Sequence, residues 1–287
     1  MTITNPIPST PAPGTTEQSD LVRGKGSALG DAWTITRRQF WHWRAQPGVL
    51  LVNLLFPVLV TLMFGALFGG AIASPGTEYA GNYYAYLMPG IFTMAMLFGL
   101  ESTMTAVNLD AAKGVTDRFR SLPISPAAVV LGRCIADMIN SVAALIVLVG
   151  AGLLLGWRWE NGPAAALAAF SLLLFLRFSL LWVGMFVGLS IKGAESVAAV
   201  QIAVWPVSML SNLFVDPATM PGWLGAIASW NPLSATATAT RELFGNPGWN
   251  DGTWMAENAL LLALAWPVLI TAIFAPLAIR AYRRLGG

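Results

Sequence analysis

The stretch Ala164–Ile191 reads AAALAAFSLLLFLRFSLLWVGMFVGLSI and carries one charged side chain, Arg177, among its 28 residues. A bilayer core about 30 Å thick needs roughly 20 apolar residues in a helix that crosses it. This stretch is long enough, and it leaves no polar face for water. It therefore predicts a membrane-spanning helix.

The composition of the whole chain agrees with this prediction. Of 287 residues, 56% are apolar and only 10% are charged, and the mean hydropathy is +0.64. A soluble domain usually carries roughly 25% charged residues. The net charge of +2 is too small to indicate a nucleic-acid partner. We expect an all-α integral membrane protein whose solvent is the lipid bilayer.

Six segments are apolar and long enough to cross the bilayer, and together they predict a six-span transmembrane domain over residues 46–287. They are Gly48–Ala73, Tyr86–Leu109, Ala127–Leu155, Ala164–Ile191, Glu195–Phe214 and Asn258–Ala281. Thirteen of the 16 basic residues fall on one side of these spans. Arg158 and Arg241 fall on the other side, and Arg177 is within a span. Because basic residues accumulate on the cytoplasmic side, we expect both termini in the cytoplasm of a cell (plasma) membrane protein.

The segment before the first span divides into two parts. Residues 1–27 are rich in Pro, Ser and Thr and contain no apolar run, which predicts a disordered cytoplasmic tail. Residues 28–45 predict an amphipathic helix at the membrane interface, with Trp33, Phe40 and Trp43 on its apolar face. This helix either anchors the chain or docks a partner, and both interpretations remain open.

The long outer loop from Val215 to Glu257 is not uniformly polar. Ala218–Trp230 and Pro232–Phe244 are semi-apolar but too short to span, and Asn231-Pro232 separates them. They predict a re-entrant or interfacial hairpin on the outer face.

The cytoplasmic connection Asp110–Arg133 reads DAAKGVTDRFRSLPISPAAVVLGR. It predicts a short amphipathic helix that Pro123 ends, followed by Ser125-Pro126 as the start of the third span. Such a rigid helix between two spans can present apolar and charged groups to a cytoplasmic partner. The candidate interface comprises Asp110, Lys113, Gly114, Asp117, Arg118, Phe119, Arg120, Leu122 and Pro123. The alternative is an ordinary basic connector.

These residues resemble a family motif. The sequence resembles the permease subunit of ABC type-2 transporters, especially the daunorubicin-resistance type. The matching motif follows the second span and consists of Asp110, Lys113-Gly114 and Arg118-Phe119-Arg120-Ser121-Leu122-Pro123. Pro89-Gly90 and Trp230-Asn231-Pro232 also match. The resemblance implies two six-span permeases above two ABC ATPase subunits, with Asp110–Pro123 as a coupling helix against the ATPases. The second permease is another copy or a related chain, and the implied substrate is a hydrophobic drug-like or lipid-like molecule.

The chain itself lacks the residues for ATP hydrolysis. Gly24-Lys25-Gly26-Ser27 has neither the upstream glycine nor the Lys-Ser/Thr step of a phosphate-binding loop. We therefore expect ATP and Mg²⁺ on the partner subunit and no cofactor here. The single cysteine, Cys134, and single histidine, His42, argue against an internal disulfide, a metal cluster or a catalytic site.

Three ionisable side chains fall within spans: Glu101, Asp137 and Arg177. Charged groups are costly in hydrocarbon and usually pair or face the bundle interior. Their similar depth predicts an intramembrane ion network, preferred to direct substrate contact. Two other functions remain open. One is an ion-coupled secondary transporter with Glu101 or Asp137 as its proton site. The other is an intramembrane enzyme, for which no His or Cys constellation is seen.

Overall fold

The computed structural model describes residues 47–72, 83–112, 126–215, 217–248 and 252–284, and within these ranges the chain forms helices and no strand. The long helices are α1 (Pro47–Ile72), α2 (Tyr83–Ala112), α3 (Pro126–Leu154), α4 (Gly162–Ser190) and α5 (Ala194–Met209). After a short 3₁₀ turn at Pro217–Thr219 come α6 (Gly222–Trp230), α7 (Pro232–Phe244), α8 (Trp254–Glu257) and α9 (Ala259–Arg284).

Each of the six predicted spans contains a helix. Four helices, α2, α3 from Val129, α4 and α9, are long and apolar enough to cross a membrane. Leu55–Leu67 within α1 and Ala194–Met209 in α5 are shorter apolar helices among the described residues. The all-helical, multi-pass membrane architecture is therefore confirmed, whereas the count of six crossings stays a prediction.

Two helices, α2 and α4, form the centre of the bundle. They pack along one another, and α4 also packs along α9. Glycines allow the close approach, since a Cβ on Gly184 or Gly188 would lie 2.7 Å from the Leu100 carbonyl oxygen or 2.6 Å from that of Met104. Small residues at such contacts let membrane helices approach closely.

The fifth helix is shorter than the predicted segment Glu195–Phe214. It ends at Met209, and the Leu210 N–H donates to the Pro206 carbonyl over 2.8 Å. Sixteen residues rise only about 24 Å at 1.5 Å per residue. The chain then turns inside the protein, where Ser211 and Asn212 are buried.

In the loop predicted to face outward, the two apolar stretches form helices α6 and α7. The break falls at Asn231, whose side chain caps α7 by accepting the Leu233 N–H at 3.0 Å, with Pro232 at the first helical position. Ten of the 13 residues of α7 are buried, and it packs against α2, α4 and α9. Its left-handed terminus at Gly245, with φ 71°, is a conformation that favours glycine.

Several predicted segments lie outside the described residues. These are the tail over residues 1–27, the interfacial helix over residues 28–45 with Trp33, Phe40 and Trp43, and the connection from Lys113 to Ser125. The structure describes both ends of the longer predicted connection Asp110–Arg133, with Asp110 in α2 and Arg133 in α3.

Candidate functional site

Arg177 lies in the middle of α4 and is only 2% exposed. Its guanidinium points between α2 and α3, where Nε donates to Ser141 Oγ at 2.8 Å and Nη2 donates to Thr103 Oγ1 at 2.7 Å. Gly99 makes room for it, since a Cβ there would overlap Arg177 Nε. Arg177 therefore joins α2, α3 and α4 in the interior of the bundle.

Asp137 is the acidic partner of Arg177, and a hydroxyl connects the two. Arg177 Nη2 is 4.0 Å from Asp137 Oδ2, while Thr103 Oγ1 donates to the same Oδ2 at 2.7 Å. Thr103 thus accepts from the cation and donates to the anion. Ser141 contacts Arg177 and donates to the Asp137 backbone carbonyl at 2.8 Å. The Arg177–Asp137 pair is therefore hydrogen-bonded to Thr103 of α2 and Ser141 of α3.

The charges continue toward the cytoplasmic end predicted for α2 and α3. Arg133 Nε is 3.9 Å from Asp137 Oδ2, and Arg133 Nη1 donates to Asp110 Oδ2 at 2.6 Å. Arg133 is largely buried, and Asp110 is 37% exposed. We call Asp110, Arg133, Asp137 and Arg177 the charge ladder. Its signs alternate and sum to zero, which reduces the cost of holding four charges together.

Glu101 lies apart from the ladder, and this corrects the expected network of three residues. Gly99 and Thr103 face Arg177, and Glu101 is two positions from each of them. Two residues along a helix correspond to about 200°, so Glu101 points to the other side of α2. Its Oε1 atom is buried and has no hydrogen-bond partner among the described residues. The structure therefore brings together Asp137 and Arg177, but not Glu101.

A second buried arginine, Arg241 in α7, lies near the opposite end of the bundle and is 1% exposed. Its Nη2 donates to the Leu213 carbonyl at 2.9 Å and its Nη1 to the Asn212 carbonyl at 3.2 Å. Its Nε donates to the Tyr86 carbonyl at 3.4 Å, and its guanidinium carbon lies 4.5 Å from the Tyr86 ring centroid. Arg241 therefore ties α7 to the start of α2 and to the turn after α5.

Sequence reasoning placed Arg241 and Arg133 in loops or flanks and missed both roles. Arg133 could have been found, because it precedes Asp137 by four residues and such pairs meet on a helix. No signal in the sequence indicates that Arg241 folds back onto Tyr86, 155 positions earlier.

The predicted interface is described at one position only. Asp110 ends the ladder, whereas Lys113, Gly114, Asp117, Arg118, Phe119, Arg120, Leu122 and Pro123 lie outside the described residues. Within the described part of the chain, no group of three or more His, Cys, Asp or Glu side chains could hold a metal ion. The charge ladder connects α2, α3 and α4 through ion pairs.

The bundle and its buried charges define a multi-pass helical membrane protein. The model of the ABC-2 type transporter family matches residues 31–244. The chain is 36% identical to the daunorubicin resistance ABC transporter permease protein DrrB1 of Streptomyces coeruleorubidus, covering 96% of this chain and 98% of that one. This chain belongs to the ABC-2 type transporter family, as a membrane permease.

More distant relatives are also permeases by name. The probable doxorubicin resistance ABC transporter permease protein DrrC of Mycobacterium tuberculosis is 26% identical over 83% of this chain and 81% of its own length. The putative transport permease ycf38 of Pyropia yezoensis is 25% identical over 75% of this chain and 74% of its own. The resemblance expected from the motifs is therefore confirmed.

Proposed function

We propose that this chain is the membrane-spanning subunit of an ATP-binding-cassette exporter that moves a hydrophobic drug-like or lipid-like molecule out of the cell. The observation that supports this most strongly is the similarity, over nearly the full length of both chains, to a daunorubicin resistance permease. In this proposal the chain moves the substrate across the membrane, and a separate polypeptide binds ATP and Mg²⁺ and hydrolyses the ATP. The working assembly contains two ATPase subunits and a second permease, either another copy or a related chain.

The charge ladder suggests how the ATPase drives the bundle. We propose Asp110–Pro123 as the coupling helix on the cytoplasmic side, and Arg133 lies ten residues beyond its end in α3. A displacement of that helix acts first on the Asp110–Arg133 ion pair of 2.6 Å. Arg133 and Asp137 occupy successive turns of α3, and Asp137 faces Arg177 in α4. Force at the coupling helix therefore reaches α2, α3 and α4 together.

The interface itself should depend on apolar anchors. Phe119 and Leu122 fill a hydrophobic notch on the ATPase, while Arg118 and Arg120 orient the docking. A truncated central anchor commonly costs an interface about 2 kcal/mol or more, and a rim charge acts mainly on association rate. We expect Arg118→Ala to be milder than Phe119→Ala and sensitive to salt.

The experiment is co-purification of the ATPase, followed by transport and ATP turnover in proteoliposomes. The double variant Phe119→Ala with Leu122→Ala should lose the ATPase or uncouple hydrolysis from export, with normal membrane insertion. The matched control is Trp254→Ala, which truncates an exposed aromatic residue at the opposite end of the bundle. If the double variant binds the ATPase and couples ATP hydrolysis to export as the wild type does, the segment Asp110–Pro123 is only a connector and not a coupling helix.

A second candidate, an ion-coupled secondary transporter, is favoured by one observation, the unpartnered Oε1 atom of Glu101. A carboxylate in that position can bind a proton. The same proteoliposomes separate the two functions. Transport that stops without the ATPase and ATP supports the exporter, whereas transport that continues and stops with a protonophore supports the alternative.

A further inference from the structure

Helix α6 has one buried side and one exposed side. It packs on the 3₁₀ turn, α7 and α8. Gly225 and Ala228 are buried, and a Cβ on Gly225 would lie 2.6 Å from the Pro217 carbonyl oxygen. The exposed side carries three large apolar residues, spaced four and three positions apart so that they share one helix face. We call them the α6 face: Trp223, Ile227 and Trp230, which are between 49% and 69% exposed.

The surroundings of the α6 face are uncharged. No Asp, Glu, Lys or Arg occurs between Pro217 and Thr240. The hydroxyl group within α6, on Ser229, donates its hydrogen to the Gly225 carbonyl at 2.9 Å. Because contiguous exposed apolar surface is unfavourable in water, such a face indicates a protein or membrane contact. It offers no charge to an ionic partner.

Helix α9 gives the depth of this region in the membrane. Its last turn carries Arg283 and Arg284, and Arg280 lies one turn earlier. Basic side chains at the end of a span reach the lipid headgroups. A hydrocarbon core of about 30 Å corresponds to about 20 residues of helix, so counting back from Arg280 places the other boundary near Leu260. Trp254 in α8 precedes Leu260 by six residues and thus lies just outside the hydrocarbon.

The α6 face lies at the level of Trp254. The ring centroids of Trp230 and Trp254 are 6.4 Å apart. Asn231 fixes this end of α6, since its Nδ2 donates to the Leu210 carbonyl at 2.7 Å and to the Val207 carbonyl at 3.1 Å. Tryptophan is enriched at the membrane–water interface because its ring is apolar and its N–H is polar. The depth and the composition of the α6 face therefore agree.

We propose that the α6 face binds the lipid headgroup layer at the end of the bundle opposite Arg280, which is the outer leaflet in the predicted orientation. Trp223 and Trp230 insert their rings beside the first acyl carbons, and Ile227 fills the space between them. The partner is a neutral, zwitterionic lipid surface, because the face carries no charge. This inference is independent of the exported substrate and of the ATPase.

The proposal separates the two halves of the predicted hairpin. Helix α6 lies in the interface, as do other short helices with one apolar and aromatic face. Helix α7 has ten buried residues and packs inside the bundle against α2, α4 and α9.

The test is the depth of a nitroxide label on the full chain in phosphatidylcholine nanodiscs. Ile227→Cys carries the label and keeps both tryptophans, while Cys134 is buried and the unsubstituted chain gives the background. The depth follows from the ratio of two collision rates, with oxygen, which concentrates in hydrocarbon, and with a water-soluble nickel chelate. Leu269→Cys in α9 is the hydrocarbon reference, and Lys192→Cys in the exposed turn after α4 is the water reference. We expect the ratio at position 227 to fall between the two references.

The two rings should hold the label at that depth. Trp223→Ala together with Trp230→Ala should raise the collision rate with the nickel chelate and lower that with oxygen, toward the values at position 192. The matched control is Trp205→Ala, which removes a 42% exposed ring from α5 and should leave the ratio at position 227 unchanged. Nanodiscs with added phosphatidylglycerol should give the same ratio, since the α6 face is uncharged.

Three results would overturn the proposal. A ratio equal to that of Lys192→Cys would place the α6 face in water, and a ratio equal to that of Leu269→Cys would place it in hydrocarbon. Low collision rates with both agents would mean that a second copy or another segment of this chain covers the face. An intermediate ratio seen only with phosphatidylglycerol would contradict the neutral partner. If the double alanine variant is poorly recovered, the label at position 227 beside both tryptophans still decides the depth.

Discussion

Arg177 brings a full positive charge into the middle of α4, and its closest hydrogen bonds go to the hydroxyls of Thr103 and Ser141. Removing it takes away the cation that faces Asp137 across the bundle and leaves this largely buried carboxylate with Arg133 at 3.9 Å. We expect Arg177→Ala to destabilise the protein by about 3 kcal/mol, as for other broken buried pairs. Adding Asp137→Asn should recover about 1 kcal/mol or more, since the two residues are coupled. Unfolding of the purified chain measures both effects.

Glu101 supplies the matched comparison for that cycle. Because it points away from Arg177, the double variant Arg177→Ala with Glu101→Gln should show only the sum of the single effects. Equal recovery from Glu101→Gln would contradict the placement of this side chain. Strictly additive behaviour of Arg177→Ala with Asp137→Asn would contradict the ion pair itself.

For single residues, the depth within a membrane span could be predicted from the sequence, but the direction in which the side chain points could not. Position along a span follows from counting residues, which placed Glu101, Asp137 and Arg177 at similar heights. Which way each points depends on the rotation of a helix that is apolar on every side, such as α2 or α4. Close contacts between helices, such as that of Gly99 with Arg177, set this rotation. These contacts cannot be predicted from a single sequence.

At the scale of the helices, the seam between α2 and α4 depends on glycine. Gly188→Ala would bring a methyl group to 2.6 Å from the Met104 carbonyl oxygen. We expect a loss of about 1–3 kcal/mol, because overpacking forces the two helix backbones apart. The control is Gly150→Ala in α3, where a Cβ has nothing within 4 Å. A helix-interior alanine is better by up to about 1 kcal/mol, so stability should hold or rise.

Melting temperatures of the two variants give the comparison directly. Equal melting temperatures would mean that α2 and α4 do not approach as closely as described.

The positions of the helices were largely predictable from the sequence, since each apolar stretch became a helix and Asn231-Pro232 marked a true break. The early end of α5 was not, because the apolar run continues past Met209 and only the buried contacts of Ser211 and Asn212 turn the chain inward.

For the whole molecule, the distribution of basic residues predicts which way the bundle sits in the membrane. Cysteines introduced at Ser27 and Gly287 should be protected from an impermeant thiol reagent in intact cells, and one at Asp251 should be labelled. The native Cys134 is buried, 5% exposed, and the unsubstituted chain measures its background. Labelling at either terminus in intact cells would contradict the predicted orientation, because the proposed coupling helix would then lie outside the cell.

The order of the ladder along the chain has a consequence for how the protein is made. Thr103, Asp137 and Ser141 all precede Arg177, so its partners have left the ribosome before the arginine reaches the insertion machinery. The fourth helix can therefore enter lipid with its charge already satisfied, without waiting for α5 to α9. A nascent chain stopped after Ile191 should integrate α4 efficiently, and changing Asp137 to Asn in that shortened chain should slow the step.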